Sequence, residues 1–331
     1  METILKTVNM KKDALKSHER PVSEDCVNDP MRFFRRNYYS PGEMSRMRQM
    51  VRESGTTLIL PYDQFMEHDN RHAEAESDSA NPDYICELAA CGGYNAVAIH
   101  YGLAKRYWTK LAGSVPLVLK INGKTSIPSQ SNPLSVHTSY VEDAVALGAV
   151  AVGYTMYYGS SRQDVDLPQL ASVRKECDRY GMPLIVWAYP RGEFVDAKGG
   201  KESSYMVESA VRMATEMGAT VIKANLPVAT GSIVDNDKVP SYYRSVEKEL
   251  LALSVDEQRL QRAKRAVIAA QGTPVLFSGG SEIDDDDLTG NAQACVDAGC
   301  FGFIFGRNMW KRKTPAALAL TRQFQQMLDK Q

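Results

Sequence analysis

The feature that most constrains this chain is a rhythm. From residue 56 onward, eight short apolar runs recur, separated for the most part by segments with helical periodicity. The runs are Thr56–Asp63, Ala96–His100, Pro116–Asn122, Ala149–Met156, Pro183–Tyr189, Thr220–Lys223, Pro274–Gly280 and Gly302–Arg307. They are nearly continuous rather than alternating, as expected of strands buried on both faces of a parallel sheet. The helical segments include Asn81–Ala90, Ser139–Gly148, Leu167–Gly181 with Pro168 in its first turn, Ser204–Gly218, Asp256–Gln271 and Asn291–Gly299. Four of them close on similar signals, Leu147-Gly-Ala, Tyr180-Gly-Met, Met217-Gly-Ala and Ala298-Gly-Cys, a repeated helix C-cap that feeds a strand. Eight strands with alternating helices predict an α/β fold, a (β/α)8 TIM barrel over residues 56–331. A doubly wound sheet is the weaker alternative, because no GxGxxG follows the first strand.

Residues 1–55 differ in character. They are rich in charge and methionine, with Lys11, Lys12, Arg32, Arg35, Arg36, Arg46 and Arg48. Ser40-Pro-Gly-Glu predicts a helix that starts near Pro41 with Ser40 as its N-cap. The segment reads as an N-terminal extension that covers the bottom of the barrel or meets another subunit. An RNA-binding arm is disfavoured, because acidic residues are interleaved with the basic ones.

Composition narrows the function classes. In 331 residues the net charge is −1, which gives no electrostatic reason to bind nucleic acid or an anionic membrane. No apolar run approaches the roughly 20 residues of a membrane helix, and the amino terminus lacks a signal-peptide core. A cytoplasmic location is the expectation. Cys26, Cys86, Cys91, Cys177, Cys295 and Cys300 include no CxxC pair and read as reduced, mostly buried thiols. His68 and His72 are spaced i, i+4, but Asp69-Asn-Arg between them reads as loop, so no metal site is expected there. The run Asp284–Asp287 lacks an EF-hand pattern and suits the start of a helix, where carboxylates meet the positive dipole end.

In a barrel, chemistry gathers at the C-terminal ends of the strands. Here those ends carry Asp63, His100, Lys120 with Asn122, Tyr157 and Tyr158, Trp187 with Tyr189, Lys223, Ser278-Gly279-Gly280, and Gly306-Arg307. Lys223 stands out, because a lysine in a buried run is costly unless it is paired or neutral. A desolvated lysine is a nucleophile for carbonyl substrates through a Schiff base. A snorkelling or salt-bridged lysine is the bland alternative. The glycines after strand seven and the Gly-Arg after strand eight fall where such barrels commonly hold phosphate.

Several stretches together resemble the archaeal-type (DhnA-like) class I fructose-1,6-bisphosphate aldolases. They are Pro61–His68, Leu119–Thr125, Trp187–Gly192, Val221–Ala224, Phe277–Gly280 and Phe305–Asn308, in the family's order over residues 56–310. The resemblance implies a Schiff-base aldolase that uses neither metal nor cofactor, acts on a small-molecule sugar phosphate and assembles as a homo-oligomer, commonly a decamer. It assigns Lys223 as the Schiff-base lysine, Tyr189 as general acid/base and Asp63 as the aspartate near the reacting hydroxyl. Lys120 and Trp187 then line the sugar site, Arg191 is a further active-site arginine that binds substrate, and Ser278, Gly279, Gly280, Gly306 and Arg307 bind phosphate. One departure is Asp63-Gln-Phe65, where the family often has glycine third; the bulkier Phe65 predicts a changed loop. Related barrels run other Schiff-base or thiolase-type reactions on phosphorylated sugars. A non-catalytic phosphosugar-binding barrel is the alternative from another class, disfavoured because binding alone needs no buried nucleophile.

Overall fold

The computed structural model describes residues 29–35, 38–68, 70, 78–107, 110–280 and 283–331. Lys11, Lys12, Cys26, Arg36 and His72 lie outside the described residues. The expected strands form β1 (Thr57–Pro61), β2 (Ala96–His100), β3 (Leu117–Lys120), β4 (Ala151–Tyr158), β5 (Leu184–Pro190), β6 (Val221–Asn225), β7 (Val275–Ser278) and β8 (Gly302–Ile304). They pair in parallel with their sequence neighbours, and β8 returns to β1 to close the barrel. A two-stranded ribbon, Asn122–Gly123 against Val136–His137, stands apart from it.

Both faces of these strands are buried, and the pleat sorts them. Leu58, Leu60, Val97, Leu117, Leu119, Val152, Val186, Ile222 and Phe277 join the core between strands and helices. Ile59, Ala96, Ala98, Val118, Ala151, Ile185, Val221, Leu276 and Ile304 belong to a second core inside the barrel. That inner core continues into Phe34, Met47, Met50 and Val51, which lie before the first strand. Phe34 meets Phe301 edge-on, with ring centres 5.2 Å apart. Phe34, Met47, Met50 and Val51 thus plug the end of the barrel opposite the strand C-termini. The helix Pro41–Gln49 is set by a capping box: Ser40 Oγ accepts from Glu43 N at 3.2 Å, and Glu43 Oε2 accepts from Ser40 N at 2.9 Å.

The helix closures also follow the chain: Gly148, Gly181, Gly218 and Gly299 all have positive φ, between 56° and 87°. Asp284 is an N-cap whose Oδ1 accepts from Asp287 N, and the acidic run forms the first turn of Asp285–Asp297. Two helices start earlier than expected, at Asp285 in place of Asn291 and at Gln163 in place of Leu167. Pro168 is not in a first turn, because its helix spans Gln163–Tyr180. Asp166 explains that earlier start. Its Oδ1 accepts from the Tyr154 hydroxyl at 2.6 Å and its Oδ2 from Tyr157 N at 3.0 Å, which winds that turn against β4. Cys86, Cys177, Cys295 and Cys300 are buried free thiols, and Cys91 is an exposed one.

Candidate active site

A cavity of about 720 Å³ opens at the C-terminal ends of the strands. The alternation that points aliphatic residues into the lower barrel points polar ones into this cavity two residues later. On β6, Val221 lies in the inner core and Lys223 follows on the same face; on β5, Ile185 is followed by Trp187 and Tyr189. Lys223 pairs in register with Trp187 and with Leu276 on its two sides.

Lys223 is 4% exposed, and its Nζ lies 4.7 Å from the centre of the Trp187 ring and 5.6 Å from that of Tyr189. Asp63 is equally buried. Burial by itself would raise the Asp63 pKa, but the positive charges of Lys223 and then Lys120 outweigh it and hold the carboxyl below its usual range. The site therefore sets an ionised carboxylate near a buried lysine and a tyrosine. Trp187 fits because β4 carries Gly153 beside it: a Cβ there would stand 2.5 Å from the indole and 2.8 Å from Lys120 Cδ.

The loops after β7 and β8 close the other wall. Arg307 Nη2 donates to Gly280 O at 2.8 Å and joins the two loops. Asn308 Nδ2 donates to Gly279 O at 3.2 Å, and a Cβ on Gly279 would meet that amide nitrogen at 2.6 Å. Ser278 Oγ is held by Asn225 Oδ1 and Ala224 O. Arg191 donates from Nη1 to Pro190 O, and its guanidinium lies 5.0 Å from the Tyr189 ring centre.

The cavity thus brings together Asp63, Trp187, Tyr189, Arg191, Lys223, Ser278, Gly279, Gly280, Gly306 and Arg307. Lys120 is the exception. Its side chain is 0% exposed and is not among the residues that line the cavity. Its Nζ donates to Glu67 Oε1 at 2.7 Å, to Thr155 Oγ1 at 2.8 Å and to Asn122 O at 3.2 Å. A buried ammonium demands such partners, and they draw it away from the cavity.

The residue that captures Lys120 was not foreseen. Phe65 packs against Tyr62 and stacks on Trp310, ring centres 5.3 and 6.3 Å away. The chain after β1 turns into a single helical turn, Gln64–Glu67, which carries Glu67 into the cavity wall. The signal was the i, i+4 spacing of Asp63 and Glu67, which places both carboxylates on one side of a helical turn. Burial, opposed by Lys120 and helped by Asp63, leaves the Glu67 carboxyl above its usual range. His100 beside them is pushed down to about 3, by burial first and then by Lys120, so its imidazole is neutral at pH 7. Lys124 was also missed. It lines the cavity, its Nζ donates to Thr125 O at 2.8 Å, and burial holds its ammonium below the usual lysine range.

Among the described residues, no group of three or more His, Cys, Asp or Glu side chains could hold a metal ion. Among them, no helix is long and apolar enough to cross a membrane.

Comparison with known proteins agrees with this geometry. The sequence pattern of the DeoC/LacD family aldolases matches residues 57–312. A class 1 fructose-bisphosphate aldolase from Thermoproteus tenax is 35% identical over 260 residues, 78% of this chain and 85% of that protein. A Methanocaldococcus jannaschii protein named fructose-bisphosphate aldolase/6-deoxy-5-ketofructose 1-phosphate synthase is 26% identical over 282 residues, 82% of this chain and 81% of its own length. A solved archaeal fructose-1,6-bisphosphate aldolase, with its catalytic lysine covalently bound to the carbinolamine intermediate, superposes with a TM-score of 0.71. It shares 30% identity over 87% of this chain and 99% of its own. This chain belongs to the DeoC/LacD family of aldolases.

Proposed function

We propose that this protein is a class I fructose-bisphosphate aldolase, a carbon–carbon lyase that cleaves fructose 1,6-bisphosphate reversibly through a Schiff base on Lys223. The observation that carries the reading is Lys223 itself, buried against Trp187 beside the ionised Asp63 in the cavity of an aldolase-family barrel.

Lys223, once its ammonium has given up a proton, attacks the C2 carbonyl, and the resulting carbinolamine loses water to give a protonated imine. As the C3–C4 bond breaks, its electron pair flows into the imine and leaves an enamine. Asp63 or Tyr189 accepts the proton of the C4 hydroxyl, and glyceraldehyde 3-phosphate departs. Protonation of the enamine at C3 and hydrolysis of the imine release dihydroxyacetone phosphate. Ser278, Gly279, Gly280, Gly306 and Arg307 hold the phosphate of the dihydroxyacetone half, and Trp187 and Arg191 line the sugar. Lys120 acts from below by fixing Glu67.

The test is intact-protein mass after incubation with dihydroxyacetone phosphate and borohydride. A mass increase matching the reduced adduct, absent in Lys223→Met, supports the reading; no increase with any sugar phosphate removes it. A second reading, Schiff-base chemistry on another phosphorylated sugar, is favoured by the double name of the Methanocaldococcus relative. It predicts the same adduct but a different preferred aldehyde. A cytoplasmic homo-oligomer belongs to the same proposal, with exposed Tyr242, Val255 and Ile268 as apolar surface for contacts. A decamer predicts about ten times the 36.7 kDa chain mass by sedimentation.

A further inference from the structure

We infer that Glu67 is a specificity-determining residue of this site: its second carboxylate oxygen accepts a hydrogen bond from a hydroxyl on the aldehyde half of the substrate. The inference rests on the aldolase reading above.

Three observations carry it. The first is an oxygen to spare. Among the described residues, every hydrogen bond and ion pair of the Glu67 side chain falls on Oε1. Lys120 Nζ lies at 2.7 Å, Thr155 Oγ1 donates at 3.3 Å, and His100 Nε2 stands 3.9 Å away. Glu67 nevertheless lines the cavity, so Oε2 is the atom left for a ligand. A carboxylate oxygen at a cavity wall accepts hydrogen bonds and selects ligands that donate.

The second observation is position. In the closed barrel β3 stands opposite β7, and β4 stands opposite β8. Lys120 and Thr155 tie Glu67 to β3 and β4, whereas the glycine and arginine loops follow β7 and β8. A ketose with its first phosphate at those loops and C2 on Lys223 of β6 extends its remaining carbons across the cavity toward Glu67. Those carbons become the aldehyde.

The third observation is rigidity. Thr155 Oγ1 accepts from Lys120 at 2.8 Å, and Asn122 Oδ1 accepts from Thr155 N at 2.7 Å. The neutral His100 stands beside the carboxylate as well. A carboxylate pinned in this way pays little ordering cost on binding and discriminates by position.

The experiment compares two aldehydes condensed with dihydroxyacetone phosphate: glyceraldehyde 3-phosphate and 3-oxopropyl phosphate, which lacks the hydroxyl. The wild-type enzyme is expected to favour the hydroxylated aldehyde in kcat/KM by about 10- to 100-fold, the range of a hydrogen bond to a charged group. Glu67→Gln keeps an acceptor for Lys120 and removes the free carboxylate oxygen, so this ratio falls toward a few-fold. Glu67→Leu combined with Lys120→Met removes both buried charges together, which spares the fold an unpaired ion, and gives the same collapse. Adduct formation with dihydroxyacetone phosphate, read in parallel by borohydride trapping, reports on Lys223 separately. An adduct with an unchanged ratio in both variants, or an equal loss on the two aldehydes, overturns the inference and leaves the aldolase reading standing. No adduct in the wild-type protein removes the aldolase reading, and this inference with it.

Discussion

Gly153 and Trp187 face each other so closely that a methyl group on the glycine would stand 2.5 Å from the indole ring. Trp187 in turn has two ammonium groups against its face, Lys223 Nζ at 4.7 Å and Lys120 Nζ at 5.0 Å from the ring centre. The smallest residue on β4 thus sets the position of the indole that packs on both lysines. Gly153→Ala is expected to cost about 1–3 kcal/mol by overpacking and to lower adduct formation by displacing Trp187. Denaturant unfolding and trapping with borohydride measure the two effects. A variant that is neutral in both would show that the ring has another place to go.

Tyr189 lies above Lys223, with its ring centre 5.6 Å from Nζ and the Arg191 guanidinium 5.0 Å from the same centre. In the proposed mechanism its hydroxyl takes part in proton transfer. Tyr189→Phe is expected to form the covalent adduct and to slow cleavage by about 10²- to 10⁴-fold, the usual worth of general acid–base catalysis. Single-turnover kinetics separate the two steps. Turnover equal to wild type would take Tyr189 out of the mechanism.

His100 gives the fold a pH dependence whose sign follows from burial. Its folded-state pKa is about 3 against an ordinary 6.5, so between these values the unfolded chain binds a proton that the folded chain does not. Stability is then fully present above pH 6.5 and is lost as pH falls toward 3, at up to about 1.4 kcal/mol per pH unit from this residue. Asp63, held low, adds a loss of the same sign at lower pH; Glu67, held high, opposes it by favouring the protonated folded state. Among the described residues, both His100 ring nitrogens are buried without a hydrogen-bond partner, so His100→Leu strands no partner atom there. Its stability between pH 6 and 4 is expected to fall less than that of wild type by about 2–3 kcal/mol. Urea midpoints at the two pH values decide it; parallel curves would mean that His100 protonates freely in the fold.

The plug beneath the barrel is expected to serve stability and not chemistry. Phe34 is buried between Phe301 and Tyr39, with ring centres 5.2 and 5.5 Å away, at the end of the barrel remote from Lys223. Phe34→Ala is expected to cost about 3–5 kcal/mol while the folded protein keeps its kcat. A large loss of kcat in fully folded protein would mean that the plug also shapes the cavity.

The barrel and most of the residues that line its candidate site were legible in the sequence because they depend on local patterns. Strands buried on both faces must be apolar throughout, so Ala96–His100 and Leu184–Tyr189 announce themselves. A helix must end before the next strand, so Gly148, Gly181, Gly218 and Gly299 mark the closures. Ser40 and Pro41 announced their helix because an N-cap and a first-turn proline are adjacent in the chain. Once strands are known, their C-terminal ends are known, and with them Asp63, Trp187, Tyr189, Lys223 and Arg307.

What the sequence alone determined, then, was the set of residues at the cavity end of the barrel. Only the tertiary structure decided which way each of them acts. Lys120 and Lys223 are both lysines at the ends of buried strands, and nothing local distinguishes them. Lys120 lies within reach of Glu67, which arrives from the turn after a different strand, and that ion pair holds it fully buried. Lys223 has an aromatic face and the more distant charge of Asp63, and it stays in the cavity wall. The reach of Pro168's helix back to Gln163 was likewise decided by contacts from Tyr154 and Tyr157 to Asp166. The physical reason is the same in each case. Burial makes every charge and polar group seek a partner, and the partner is supplied by a segment distant in sequence or by a turn whose conformation the packing sets.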